Sequence, residues 1–375
     1  MRVAVLGAGR VGNAIARDLH SDKNLKVEVF DNSQRALDFL KEKGIKTKKC
    51  DLNSKAGIEK AVKDADLVVG ALPGFMGFQC VKNVIFCKKD IVDISFFPED
   101  PFLLEAETKR NKVTCIVDAG IAPGCSNLIA GRMMQILDEI DSMMIYVGGL
   151  PVERKWPYEY KAPFSPIDVI EEYTRPARIV KNGKIVEMEA LSESELINFN
   201  GIGTLEAFNT DGLRTLLKTV KAKNMAEKTL RYLGHIEKMK VLRETGFFSK
   251  EKIEVDGKLL RPLDITAKLL FPLWSFSEGE EDITVLRIEV KGKINKKNAT
   301  YKFELYDKMD TEKGISSMAR TTGYTATAIA RLVLSGKFKE KGVFPPELIG
   351  SNIDNYLFVM KELGLRGVVF KETAN

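Results

Sequence analysis

Three glycines with fixed spacing, Gly7, Gly9 and Gly12, stand in the run RVAVLGAGRVGNAIARDL, between an apolar strand pattern (2–6) and a helical one (10–19). In a G-x-G-x-x-G turn the first glycine permits the tight turn. The second lets a pyrophosphate approach the backbone, and the third lets the helix lie close to the strand. The helix N-terminus then offers free N–H groups and a partial positive charge to phosphate. A second strand, KVEVF, ends in Asp31, at the distance where an acidic residue accepts hydrogen bonds from ribose hydroxyls. These residues point to a bound dinucleotide. The charge of Asp31 would repel a 2′-phosphate and favours NAD over NADP, with Arg35 four residues on expected to pair with it.

The elements that must position this loop follow from hydropathy. Strand and helix patterns alternate through the first third, with strands near 2–6, 26–30, 45–49, 66–72, 90–95 and 112–120. Right-handed crossovers turn six such βα repeats into a Rossmann doubly wound parallel sheet, with the ligand crevice at the carboxyl ends of the strands. The cofactor candidates therefore gather at those ends: Gly7, Gly9, Arg10, Val11 and Gly12 after the first strand, and Asp31 and Asn32 after the second. Asp51 and Leu52 follow the third, and Leu72, Pro73 and Phe75 the fourth. Asp93 and Asp118 end the fifth and sixth and face the same crevice. After Ala122 the pattern changes to an α+β segment with an antiparallel or mixed sheet. It has a hairpin signal at Asn182-Gly183, helices over 211–221 and 226–243, and two strands at 283–290 and 299–305. A long apolar helix (315–334) returns to the dinucleotide sheet, and a last helix (353–363) closes the chain. The expected division is a cofactor domain of 1–122 with 312–375, and a substrate domain of 123–311.

Composition narrows the function classes. The chain has 375 residues, 44% hydrophobic and 29% charged, with a net charge of +6 and no long basic block, so nucleic-acid binding is not indicated. No apolar run is long enough to span a membrane. Met1 leads directly into the first strand, without a signal peptide. Five cysteines, an odd number with no C-x-x-C pair, argue for reduced thiols in a cytoplasmic protein and against a disulfide framework or a metal site.

Later runs narrow the chemistry. DAGIAPGCSN (118–127), YTRPAR (173–178), GTLEAFNTDGLRTL (203–216), TLRYLGH (229–235) and MARTTGYT (318–325) occur in that order. Together they resemble the saccharopine dehydrogenase-like family, in its NAD-dependent lysine 6-dehydrogenase branch, over essentially the whole chain. One departure is Leu233, where that run has proline. The resemblance implies oxidative deamination of the lysine ε-amine and a homodimer or larger assembly built on the second domain's sheet. It also places the turn Ile121-Ala122-Pro123 and the amide of Asn127 beside the nicotinamide.

Hydride loss needs a neutral amine, and a free lysine has a pKa of about 10.4, so the site must favour deprotonation or supply a base. His235, Asp118 and Asp93 are the candidates. The substrate carboxylate needs a cation, and Arg175, Arg214 and Arg320 stand in the matching runs, with Tyr173 and Thr321 as further substrate contacts. A saccharopine-type substrate carries three carboxylates and would need more converging cations, for which Lys155, Lys161, Arg175 and Arg214 are available. A carboxynorspermidine-type dehydrogenase and a non-catalytic dinucleotide sensor are the remaining readings.

Overall fold

The computed structural model describes residues 1–375. Strand β1 (Arg2–Leu6) pairs in parallel with β2 (Lys26–Asp31) on one side and β4 (Leu67–Gly70) on the other. Between them run α1 (Arg10–His20), α2 (Gln34–Glu42), β3 (Lys46–Lys49) and α3 (Lys55–Val62). Next come α4 (Gly74–Phe86), β5 (Ile91–Asp93), a 3₁₀ turn (Pro101–Leu104), α5 (Glu105–Asn111), β6 (Thr114–Ile116) and α6 (Cys125–Ile136). Every residue of β4, β5 and β6 is buried, as expected of parallel strands covered by helices on both faces. One core beside the sheet joins Leu6, Val68, Val81, Ile85 and Val117. Full burial of such side chains contributes about 1.5–3 kcal/mol each.

The mixed sheet is built from β7 (Glu139–Pro151), α7 (Pro166–Thr174), β8 (Ala177–Lys181), β9 (Lys184–Met188), β10 (Glu195–Phe199), β11 (Gly203–Thr210), α8 (Leu216–Thr219), β12 (Ala222–Arg231) and α9 (His235–Glu244). Then follow β13 (Ile253–Val255), β14 (Lys258–Leu260), α10 (Pro262–Trp274), β15 (Asp282–Ile294) and β16 (Lys297–Lys308). The chain returns through α11 (Ser317–Leu334), β17 (Gly342–Phe344), α12 (Pro346–Gly350) and α13 (Ile353–Leu365), and ends in β18 (Lys371–Ala374).

Two compact units result. One holds residues 1–138, 218–220 and 319–369, and the other holds 139–217, 221–318 and 370–375. The first has a seven-stranded parallel sheet of order β17-β6-β5-β4-β1-β2-β3, the doubly wound arrangement with one strand added at the β6 edge. Its α11 lies along α1, where Gly323 sits against Ala14 and Ile15. The second has a nine-stranded sheet, β10-β11-β12-β7-β15-β16-β18, with β8 and β9 attached beside β12. It is mixed because β12 runs parallel to β7 while β15 and β16 are antiparallel.

Several expectations need correction. Residues 226–231 are strand, not helix: AKNMAEKTLR is β12, and α9 starts only at His235. Helix-forming Ala, Glu and Lys predicted a helix, but the run lies between β7 and β11, where sheet pairing outweighs a propensity of under about 1 kcal/mol per residue. The helix expected over 211–221 shrinks to the four residues of α8. The last helix does not close the chain, because β18 follows and pairs with β16.

Candidate functional site

Because β1 to β6 are parallel, their carboxyl ends lie on one edge. Register sets Leu6 against both Phe30 and Gly70, so the residues that follow, Gly7, Asp31 and Ala71, line up there. The three glycines differ in what a side chain would meet. At Gly7, with φ +109°, a Cβ would overlap the Ala71 carbonyl, and at Gly12 it would overlap that of Gly7. At Gly9 it would enter open space. Gly7 and Gly12 therefore close the turn, and Gly9 leaves a bare cradle at the head of α1. That helix has no side-chain cap and no acidic residue in its first turn, so its N–H groups remain available to an anion.

Asp31 braces this loop. Its Oδ2 accepts the Ala8 N–H at 2.6 Å and its Oδ1 accepts that of Ser33 at 2.7 Å, which leaves further lone pairs for hydroxyl donors. Arg35 does not pair with it and is exposed. Around the cradle, Arg10, Asn32 and Asp51 are exposed, Val11, Leu72 and Pro73 are half-buried, and Leu52 is buried beneath. Phe75, 75% exposed at the head of α4, stands beyond Leu72 and Pro73. Glycine cradle, uncapped helix and carboxylate together fit a dinucleotide.

Asp93 and Asp118 are buried at the ends of β5 and β6. Asp93 packs against Gly70, where a Cβ would overlap its carboxylate, and accepts hydrogen bonds from the Ser95 N–H (2.8 Å) and hydroxyl (3.2 Å). These contacts anchor Asp93, one of the expected catalytic groups, at the end of β5. Asp118 has a left-handed backbone (φ +53°) and leads into the buried Ile121 and half-buried Ala122 and Pro123. The methyl of Thr322, on α11, faces Gly120 in that turn.

Asn127 is fully buried: Oδ1 accepts from the Gly124 N–H (3.1 Å), and Nδ2 donates to Glu347 (3.0 Å). The other Glu347 oxygen accepts the Thr219 hydroxyl at 2.7 Å. Asn127, expected beside the nicotinamide, thus caps α6 and ties it to α12.

The second unit holds a buried polar cluster centred on a residue the sequence did not single out, Arg231. Its guanidinium donates to Glu172 (2.5 Å), Tyr173 (3.1 Å), Tyr160 (3.3 Å) and the Leu230 carbonyl (3.0 Å), and lies 4.4 Å over the Tyr160 ring. His235 completes the cluster. The Tyr158 carbonyl can only accept, so the proton sits on Nδ1 (2.9 Å), and Nε2 accepts from the Tyr173 hydroxyl (2.9 Å). A relay of donors therefore runs from Arg231 through Tyr173 to His235. Burial, and next the charge of Arg231, push the His235 pKa down to about 3. With both nitrogens engaged and 1% exposure, His235, the residue expected to be the general base, is held neutral inside this cluster. Tyr173, expected as a substrate contact, is fully buried in the same relay.

The remaining cations are distributed. Arg175 pairs with Glu171 at 3.5 Å, and Lys155 and Lys161 both hold Glu280 at 2.7 Å. Hydrogen bonds from Lys155, then Lys161, lower the Glu280 pKa to about 2. Arg178 grips Asp211 with two bonds of 2.8 and 2.7 Å. Arg214 is buried three residues beyond Asp211, with φ +47°. Arg320, in the first unit and expected to meet the substrate carboxylate, donates to the Arg366 carbonyl at 2.7 Å, which fastens α11 to α13. Thr321 is fully buried inside α11 and does not cap it. The cap is Asp282, whose two oxygens accept the N–H groups of Ser317 (2.6 Å) and Met318 (3.0 Å). Arg231 and Asp282 both lie in strands, where neither periodicity nor spacing marks a charge as buried.

No group of three or more His, Cys, Asp or Glu side chains could hold a metal ion, and no helix is long and apolar enough to cross a membrane. Two family models match the chain. Saccharopine dehydrogenase NADP binding domain covers residues 3–116, and Saccharopine dehydrogenase C-terminal domain covers 120–368. The chain is 22% identical to alpha-aminoadipic semialdehyde synthase, mitochondrial, of Mus musculus, over 98% of its own length but only 47% of that protein. It is 26% identical to saccharopine dehydrogenase [NADP(+), L-glutamate-forming] of Saccharomyces cerevisiae, over 75% of this chain and 65% of that one. The enzyme of the same name from Pyricularia oryzae is 24% identical over 96% of both. The chain thus spans about half the length of the mouse relative and just under two thirds of the yeast one. The solved apo saccharopine dehydrogenase (L-Glu forming) from Saccharomyces cerevisiae shares the fold, with a TM-score of 0.81 over 100% of this chain and 99% of that one, at 22% identity. With its two models covering nearly all of the sequence, the chain belongs to the saccharopine dehydrogenase family, a family of oxidoreductases.

Proposed function

We propose that the protein is an NAD-dependent dehydrogenase that oxidises the ε-carbon of lysine, releasing ammonia and 2-aminoadipate 6-semialdehyde, which cyclises. The single observation that carries lysine over saccharopine is the neutralisation of cations in the second unit. Of the four that a substrate with three carboxylates could use, Lys155 and Lys161 are paired with Glu280 and Arg175 with Glu171. Three of the four are thus neutralised, and the fourth, Arg214, is buried, which leaves little positive charge for a second and third carboxylate.

The residues that would hold the dinucleotide are the Gly7–Gly12 loop with the α1 N-terminus for the pyrophosphate, and Asp31 for the ribose hydroxyls. When bound, the cofactor supplies the hydride acceptor. Loss of hydride from the ε-carbon leaves an iminium on the substrate, and water hydrolyses it to the aldehyde and ammonium. Only the neutral amine can lose hydride. With His235 neutral and enclosed, the first proton leaves the substrate's own ammonium, so turnover rises as pH approaches its pKa of about 10.4.

The second reading is saccharopine as substrate with NADP, favoured by the names of the relatives. Purified protein assayed with lysine or saccharopine, each with NAD and NADP, separates the two. Lysine-dependent NAD reduction that increases with pH is expected. Reduction with saccharopine alone would transfer the assignment to the second reading, and cofactor binding without turnover on either amine would sink both.

A further inference from the structure

Glu347, on α12, is a carboxylate with no exposed surface, and helix packing does not account for it. The backbones of α6 and α12 already touch: a Cβ at Gly131 would overlap the Glu347 carbonyl, and one at Gly350 the Leu128 carbonyl. The two helices need no buried charge to meet. The carboxylate instead accepts one hydrogen bond at each oxygen, from Asn127 Nδ2 (3.0 Å) and from the Thr219 hydroxyl (2.7 Å). Thr219 lies in 218–220, the short stretch from the middle of the chain that belongs to the first unit, where Lys218 pairs with Asp100.

The two ends of a side-chain amide have nearly the same shape, and only their neighbours tell donor from acceptor. A carboxylate oxygen that accepts draws Nδ2 of Asn127 to itself. Oδ1 is thereby turned to the Gly124 N–H and the Ser126 hydroxyl, both at 3.1 Å. Those bonds close the turn that follows β6. Within it the Gly120 and Ile121 carbonyls accept the N–H groups of Cys125 (2.9 Å) and Ser126 (3.0 Å). Gly124, at φ +141°, has no room for a Cβ beside Gly120. Strand order locates the turn. With the phosphate cradle on β1 and Asp31 on β2, the other half of a dinucleotide lies towards β4, β5 and β6. Helix α12 arrives there because β17 pairs with β6, Phe344 opposite Ile116.

We propose that Glu347 is a positioning residue for the nicotinamide half of the cofactor, acting through Asn127 to fix the turn 118–124. The inference rests on the dinucleotide reading given above and not on which amine is oxidised.

Calorimetry of the full chain with NAD, and with ADP-ribose, which lacks the nicotinamide, tests it. Glu347→Leu is expected to weaken NAD by about fivefold or more and ADP-ribose by less than about twofold. A role in folding alone would weaken both ligands together or neither. Glu347→Gln should recover most of the NAD affinity, because its amide oxygen can take the Asn127 bond while the Thr219 hydroxyl reverses to accept. Thr219→Val deletes one of the two bonds at a half-buried position. It should show the same preferential loss, about threefold for NAD, and it decides the matter if the leucine variant does not fold. Equal losses for the two ligands, no loss for either, or a glutamine variant as weak as the leucine one overturns the proposal. Because no turnover is read, failure on lysine strikes the substrate and not this assignment, whereas a wild type that binds neither ligand sinks both.

Discussion

The glycine loop of the first unit and the Arg231 cluster of the second prepare for charge in opposite ways. The loop presents backbone: three glycines, an uncapped helix and one carboxylate, with the Gly9 cradle open. The cluster presents side chains and encloses them: a buried guanidinium is satisfied by a carboxylate, two phenols and a carbonyl, and a neutral histidine ends the relay. An open anion site can exchange ligands because no side chain caps the N–H groups at the head of its helix. A closed ion cluster cannot, because opening it would leave a charge unpaired in a dry interior. The difference assigns ligand binding to the loop and rigidity to the cluster.

The largest effect should come from breaking the cluster from one side. Glu172→Leu leaves the Arg231 charge uncompensated, at a cost of about 3–5 kcal/mol in urea unfolding. The double variant Glu172→Leu/Arg231→Leu should lose less than either single one. If the losses simply add, the two residues are not the closed pair described.

A smaller effect follows from His235. Unfolded, a histidine binds its proton near 6.5, whereas here the pKa is lowered to about 3. Between those values the unfolded chain binds the extra proton, so stability is full above about 6.5 and falls as pH drops toward 3, by about 1.4 kcal/mol per pH unit. His235→Gln should remove that part of the slope, so that the wild type and the variant differ in their loss of stability between about pH 7 and pH 5 by about 2 kcal/mol. An identical slope would mean that the histidine is not enclosed.

On the loop side, Gly9→Ala and Gly12→Ala should part company. A Cβ at Gly12 strikes backbone and should compromise folding, whereas at Gly9 it enters free space. Gly9→Ala should therefore melt like the wild type while binding the dinucleotide about tenfold more weakly, or about 1.4 kcal/mol, by calorimetry. Unchanged affinity would place the pyrophosphate elsewhere. The smallest effect is a change of preference. Asp31→Asn removes the charge that opposes a 2′-phosphate, so the ratio of NAD to NADP affinity should fall several-fold. A ratio that does not move would leave cofactor choice to other residues.

Legibility followed the same division. The six strand ends that carry Gly7, Asp31, Asp51, Leu72, Asp93 and Asp118 could be placed from sequence because parallel βα repeats send every carboxyl end to one edge. What those residues do there was harder to read. Asp93 and Asn127 stand where expected, yet their polar atoms are occupied by Ser95 in one case and by Gly124 and Glu347 in the other. Arg320 was read as a substrate contact, and one of its bonds ties two helices together. In the second unit β12 was read as helix, and that error hid Arg231, because a residue's facing cannot be assigned before its element is known.

By itself, the sequence determined a doubly wound sheet with a dinucleotide turn at its switch point, since both depend on local spacing: glycines at fixed intervals and apolar residues in strand and helix periods. The tertiary structure decided which polar residues are enclosed. Whether His235 is a base or a buried acceptor depends on Tyr158, Tyr173 and Arg231, which arrive from three separate parts of the chain. Desolvation and pairing are properties of that assembled neighbourhood, and no spacing within one segment encodes them.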